Sequence, residues 1–193
     1  MFDGLDWYGR ELVEHRYAEC FFTDVDFTEA RTRGAVFEHC RFDNCRFNAS
    51  EHRASAFVAC RFRRTSWFAA TLDGCKLAGS GFVDCVLRPL TVIGGQWTGV
   101  VLCGADLSKV DLAGVRLCDA DLSEATLCEA SLRGADLSRA LLRGTDLRRA
   151  DLRGSTLASV DLSTAVLSAT RVDLSAAVAL AEAHGAVVDV DAP

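Results

Sequence analysis

The stretch GADLSRALLRGTDLRRADLRGSTL, residues 134–157, carries a leucine at every fifth position: Leu137, Leu142, Leu147, Leu152 and Leu157. A small residue stands two places before each, as Ala135, Ala140, Thr145, Ala150 and Ser155. A period of five is neither the 3.6 of an α-helix nor the two-residue alternation of a strand. On a helix, steps of five would scatter successive leucines about 140° apart, and no apolar stripe would form. The period requires another closed shape.

The frame runs from Tyr17 to Val172 through 32 central positions without an insertion. Centres are mostly aromatic in the first half (Phe22, Phe27, Phe37, Phe42, Phe47) and all leucine from Leu102 to Leu167. Only Thr32 and His52 are polar, and His52 is expected to be partly buried or at a corner. If each pentad makes one side and one corner, four pentads close a square coil of about 20 residues. The centre and the small residue before it then point inward. Glycine at the last position (Gly104, Gly114, Gly134, Gly144, Gly154) suits a corner with positive φ. Parallel coils stacked at ~4.8 Å give, for about eight coils, a rod of roughly 38 Å. The expected fold is an all-β solenoid whose filled interior leaves no ligand cavity.

Six of nine cysteines (Cys20, Cys40, Cys45, Cys60, Cys75, Cys85) fall in the small slot, and a seventh to ninth (Cys103, Cys118, Cys128) follow a leucine. Spacings in multiples of five differ from the close Cys pairs of metal sites. An odd count without an export signal argues against a disulfide framework. The slot cysteines are read as buried, reduced, small apolar residues, with no metal and no cofactor.

Residues 1–15 are read as an N-terminal cap with Trp7 and Tyr8, and 16–172 as the β-helix. The stretch LRPLTVIGGQWTG, 87–99, joins the two textures and predicts a kink or wider coil, since Pro89 donates no ladder bond. Residues 173–193 change period. Ser175 as N-cap and Gly185 past the end frame a short C-terminal α-helix over roughly 176–184. So short a helix needs a surface to lie on. Leu174, Val178, Leu180, Ala181 and Val187 are the expected burial or dimerisation residues.

The first fifteen residues lack the apolar core of a signal peptide. No apolar run approaches the ~18 residues of a membrane span, so a cytoplasmic protein with no membrane partner is expected. The formal charge of −6 argues against direct nucleic-acid binding through a basic surface. His15, His39, His52 and His184 lie far apart, and no phosphate loop, zinc-protease motif or nucleophile elbow is present. The chain does not read as an enzyme.

The unbroken pentad frame, covering about four fifths of the chain, resembles the pentapeptide-repeat family, whose fold is the right-handed quadrilateral β-helix. Finer details resemble its loopless mycobacterial fluoroquinolone-resistance branch: LRPLT at 87–91, Thr32 in RTRGAVF, His52 in EHRASAF, and the tail RVDLSAAVALAEAHG. That resemblance implies a homodimer through the C-terminal ends, a rod like B-DNA in size and charge, and DNA gyrase as partner. It also implies mild inhibition of gyrase and protection from drugs that trap cleaved DNA.

Residues 1–97 carry 12 basic and 13 acidic residues, and residues 98–193 carry 9 and 14. The acidic excess thus lies in the second half. Aspartate recurs just before the centre as Asp106, Asp111, Asp121, Asp136, Asp146, Asp151 and Asp161, and regular acids imitate phosphates. Sorting by face leaves one side acidic, with Asp121, Glu124 and Asp161 against Arg143; the others balance, with Arg133 and Arg153 beside Asp111 and Asp151. These eight carboxylates are the candidate partner-binding residues. Two readings stay open: a gyrase-binding DNA mimic, or a rigid scaffold for a different protein.

Overall fold

The computed structural model describes residues 1–189, so residues 190–193 of the expected C-terminal tail lie outside the described residues. The chain winds as a parallel β-solenoid in which residue i pairs with residue i+20. Phe2 pairs with Phe22, Phe22 with Phe42, Phe42 with Phe62 and Phe62 with Phe82. These belong to a five-stranded parallel sheet. A second five-stranded sheet runs from Glu11–Val13 through Arg31–Arg33, Glu51–Arg53 and Ala70–Asp73 to Leu90–Ile93. A third side holds Arg16–Ala18, Val36–Glu38 and Ala56–Val58. The fourth side is tied by single bridges along Asp6, Asp26, Arg46, Ser66 and Val86.

Extended strands therefore make about five turns, fewer than the about eight coils expected. Beyond Ile93 the same register continues as single bridges, ending with Asp151 against Arg171. The cause is local. In the second half the central carbonyl accepts from the amide three residues on, as in Ala105 to Leu102 (3.0 Å) and Ala125 to Leu122 (3.0 Å). Such turns need positive φ at their third residue. Gly104 (68°) and Gly134 (63°) supply it freely, but Lys109 (64°) and Glu124 (60°) adopt it too. The stacked backbone bonds on either side hold these non-glycine residues there.

Inside, like side chains stack. Phe2, Phe22, Phe42, Phe62 and Phe82 form a ring column with successive centroids 4.7, 4.7, 4.8 and 4.7 Å apart. From Leu102 to Leu152 the leucine centres are buried throughout. The small slot is more specific than size alone requires. Cys40, Cys60 and Cys75 thiols donate to the carbonyls of Tyr17, Phe37 and His52, one coil below. Ser80 and Thr145 hydroxyls do the same to Phe57 and Leu122. All nine cysteines are free, and burial pushes the Cys45 and Cys75 thiols up to about 11.

The two polar centres form a buried rung. Ser50 Oγ donates to Phe47 O (2.7 Å), leaving its lone pair for His52 Nε2 (2.9 Å). Nε2 then carries the proton, and Nδ1 accepts from the Thr32 hydroxyl at 2.8 Å. His52 is thus fully enclosed rather than partly buried, and burial lowers its pKa to about 3.

Two expectations about the ends are corrected. Residues 1–15 do not form a separate cap, because Phe2, Trp7 and Leu12 already occupy centres of a first coil paired to the next. The stretch 87–99 keeps the ladder intact: Leu90 pairs with Ala70, Val92 with Leu72 and Gln96 with Lys76. Gly95 makes this possible, since a Cβ there would meet Cys75 O at 2.7 Å and the Trp97 indole at 3.0 Å. The helix α1 spans Leu174–Ala183, two residues earlier than expected, and its N-cap is Asp173, not Ser175. Asp173 Oδ1 accepts from Ala176 N (3.0 Å), while Oδ2 accepts from Gly154 N (2.7 Å) and so ties the helix to the coil below. Gly185 follows the helix with φ 84° as expected.

Folded His52 stays neutral while unfolded His52 protonates near its ordinary value of about 6.5. Its contribution to stability is therefore complete above about pH 6.5 and falls as pH drops toward 3, by up to about 1.4 kcal/mol per unit. Urea unfolding at about pH 7 and about pH 5 should show a larger loss for the wild type than for His52→Gln. Equal losses would remove this role. Phe57→Ala should cost about 3–5 kcal/mol in the same measurement.

Candidate functional site

The recurrent aspartates have a structural task that the sequence reading did not assign. Each places Oδ1 on the amide two residues ahead: Asp106 on Ser108, Asp111 on Ala113, Asp121 on Ser123 and Asp136 on Ser138. Asp146, Asp151 and Asp161 do the same to Arg148, Arg153 and Ser163, at 2.9–3.2 Å. Each amide opens a corner and has no sheet partner of its own, so an acceptor on the preceding side chain satisfies it. Regular spacing of acids is thus a consequence of regular corners. What remains for a partner is the second carboxylate oxygen.

Arginine claims that oxygen at three of the positions. Asp146 receives Arg148 in a two-pronged pair (2.9 and 2.6 Å), which holds its carboxyl below the usual range. Arg153 at 2.6 Å, with Arg133 at 3.3 Å behind it, does the same for Asp151. Both arginines therefore sit on Asp151, and Asp111 is left without them. Asp106 meets Arg88 at 2.9 Å, a partner one coil below. Partial burial opposes ionisation of Asp106, and Ser108 with Arg88 more than offsets it. Lys109 and Arg149 serve Glu129 instead, at 3.8 and 3.5 Å. A further pair, Asp119 with Arg139 at 2.6 Å, escaped the sequence reading; the 20-residue stacking rule finds it.

Among the described residues, four of these seven aspartates carry no arginine bridge: Asp111, Asp121, Asp136 and Asp161. Asp136 takes the Cys118 thiol (2.8 Å) and Ser138 hydroxyl (2.6 Å), and both keep it ionised. The Ser163 hydroxyl does so for Asp161. Glu124 is largely exposed and only loosely paired, 3.8 Å from Arg143. Asp121 is bridged to Leu141, and Asp161 follows 20 residues further along the chain, where the Gly144 amide bonds Thr164 O in place of residue 163. In the second half of the chain, the side that carries Asp121, Glu124 and Asp161 therefore keeps negative charge after internal pairing, as Asp111 and Asp136 do singly on other sides.

At the C-terminal end the last coil is incompletely covered. Ala176 is the buried residue of α1, and Leu180 packs on the core. Leu157, Leu167 and Val172 beneath remain half-buried. Of the residues expected there, Val178 and Ala181 are also half-buried, Leu174 is 73% exposed and Val187 97% exposed. Among the described residues, no group of three or more His, Cys, Asp or Glu can hold a metal ion, and no helix is long and apolar enough to cross a membrane.

A parallel coil of four five-residue sides, repeated at a register of 20, defines a class of protein. The family model for pentapeptide repeats matches eight copies here, over residues 20–50, 98–134 and 130–168, and the chain belongs to that family. It is 42% identical over 97 residues to the pentapeptide repeat protein MfpA of Mycobacterium tuberculosis, a match covering 48% of this chain and 53% of that one. The chain thus matches about half the length of this curated relative. Among solved structures, trypsin-treated QnrB1, described as a plasmid-mediated fluoroquinolone resistance protein, superposes with a TM-score of 0.66 over 97% of this chain and 99% of its own, at 19% identity. Full-length QnrB1 gives 0.63 over 96% and 97%, at 20%. At such identity the likeness is one of fold.

Because Asn keeps the Oδ1 acceptor, Asp121→Asn and Asp161→Asn should melt within about 0.5 kcal/mol of the wild type. Asp121→Ala and Asp161→Ala should lose about 1 kcal/mol each by thermal denaturation. Equal effects of Asn and Ala would show that the corner bond contributes nothing.

Proposed function

We propose that this chain is a cytoplasmic, non-catalytic DNA mimic that binds DNA gyrase and protects it from fluoroquinolones or other poisons of the cleaved-DNA complex. The observation that carries the reading is the side bearing Asp121, Glu124 and Asp161, where acidity remains after internal pairing is counted. The second-half acidic excess and a rod built at regular ~4.8 Å steps agree with it. The fluoroquinolone-resistance description of QnrB1, which shares the fold, and the partial identity with MfpA point the same way. Asp111 and Asp136 extend the acidic surface around the corners; Asp106, Asp146 and Asp151 contribute less, being held by arginine.

The same reading includes a homodimer joined through the C-terminal ends, which lengthens the rod about twofold. Its support is the half-covered last coil with Leu174 and Val187 exposed beside it. A second copy would complete the cover that α1 leaves unfinished, as solenoid ends require.

In a gyrase cleavage assay with a fluoroquinolone, the purified protein should reduce trapped cleaved DNA and, at higher concentration, mildly inhibit supercoiling. Combining Asp121→Asn, Glu124→Gln and Asp161→Asn should abolish protection while the protein stays folded, and rising salt should weaken binding steeply. Protection that survives the triple change rules out the acidic-side mechanism. No effect on gyrase would favour a scaffold for a different protein.

A further inference from the structure

The side that carries Asp121 is not uniform along the rod. Its lower part is basic and its upper part acidic, and the coils between carry one charge, the exposed Asp84 at a corner. In the first outward column the order is Arg41, Arg61, Gly81, Val101, Asp121, Leu141, fixed by the ladder pairings. In the second it is Asp43, Arg63 and Val83, then Cys103, Ser123 and Arg143 at the same register. At the corner beside them the order is Arg64, Asp84, Gly104 and Glu124, and the antiparallel arrangement sets Asp84 against Gly104, where no like charge meets it. Arg61 is exposed and makes no ion pair among the described residues. Val83 and Val101 are 55% and 41% exposed.

This order is complementary to its own reverse. Two copies laid side against side and antiparallel, with a two-fold axis between the coils of Gly81 and Val101, bring each column onto the same column running the other way. Arg61 then faces Asp121, Arg64 faces Glu124, and Asp43 faces Arg143. Val83 faces Cys103, and Gly81 leaves room for Val101. Within one chain Asp43 already holds Arg64 (2.7 Å), and Glu124 lies 3.8 Å from Arg143. Across the axis these two pairs close into a ring of four alternating charges, and symmetry makes the ring twice. A parallel arrangement fails, since it sets Arg61 against Arg63. The match ends at the outer coils, where Phe21 meets Asp161.

We propose that this side is a self-association surface, on which a second copy of the chain docks antiparallel through Arg61–Asp121, Arg64–Glu124 and Asp43–Arg143 contacts around an apolar centre at Val83 and Val101. The matched strip runs from the coil of Asp43 to that of Arg143, about 24 Å, and is one side wide. That is smaller than the ~800 Å² per partner of a standard interface, so the pairing is weak, concentration-dependent and salt-sensitive. It differs from end-to-end joining, which leaves these residues apart, and it does not rest on the gyrase reading. It does bear on it, because the docked copy covers Asp121 and Glu124.

The test uses the full chain carrying Arg61→Lys, which keeps the charge and adds an amine. Isotope-labelled and unlabelled copies are mixed at low salt and treated with a zero-length carbodiimide. Positions 61 and 121 of one chain are three coils, about 14 Å, apart and beyond such a reagent. The expected product is a mixed-label peptide that joins the amine introduced at position 61 to the Asp121 carboxylate and disappears at about 0.5 M salt. Absence of that peptide would overturn the proposal. Sedimentation provides a second arm through residues that cap no backbone. Arg64→Glu and Glu124→Arg should each weaken association at least tenfold, and the two combined should recover at least threefold over either single, because the swap restores opposite charges at positions 64 and 124 across the axis while leaving like charges beside Asp43 and Arg143 within each chain. A double variant no stronger than the singles would overturn the pairing equally.

Discussion

Everything in this molecule depends on one repeated contact, the backbone hydrogen bond from each coil to the coil 20 residues on. It fixes the rise, and through the rise it fixes which side chains touch. The aromatic column from Phe2 to Phe82 stacks at 4.7–4.8 Å because the backbone repeats at that distance, not because rings choose it. The same spacing lets a thiol or hydroxyl in the small slot reach a carbonyl one coil below. It also lets Arg139 reach Asp119. Side chains here are selected to suit a lattice that the backbone sets.

Much of that lattice could be read from the chain. A loopless five-residue frame carries its own register, so the stacking of Cys40 on Cys60 or Leu132 on Leu152 follows from counting. Irregular places were less legible. Residues 1–15 read as a cap with Trp7 and Tyr8 because a solenoid end needs closing, but the frame passes through them unchanged. Pro89 looked like weakness, since it donates no ladder bond. In space Gly95 yields room to Trp97, and no coil is lost. Such compensation joins positions whose side-chain volumes a pattern does not report.

The acidic surface shows the same limit in electrostatic terms. Counting charges by side identified Asp121, Glu124 and Asp161, and these are among the acids that arginine leaves alone or holds loosely, with Asp111 and Asp136 on other sides. Counting did not reveal why aspartate recurs at all. The corner amide two residues ahead needs an acceptor, and a short carboxylate reaches it. Nor did it reveal that Arg88 crosses to Asp106 from an irregular coil. A repeated acid in a solenoid is first a piece of turn chemistry. Its value to a partner is set by which cations the neighbouring coils direct at it.

The absence of any loop between Tyr17 and Val172 has a consequence for how such a chain changes over generations. Gain or loss of 20 residues alters length by one storey and leaves every column in line. Gain or loss of a single pentad is equally invisible to the interior, since a centre replaces a centre. Outside, however, it turns all that follows by a quarter of a revolution, carrying an acidic column from one wall to the next. The fold therefore tolerates two kinds of edit that the surface distinguishes completely, and the pattern of charges around the rod preserves a count of how many pentads lie beneath it.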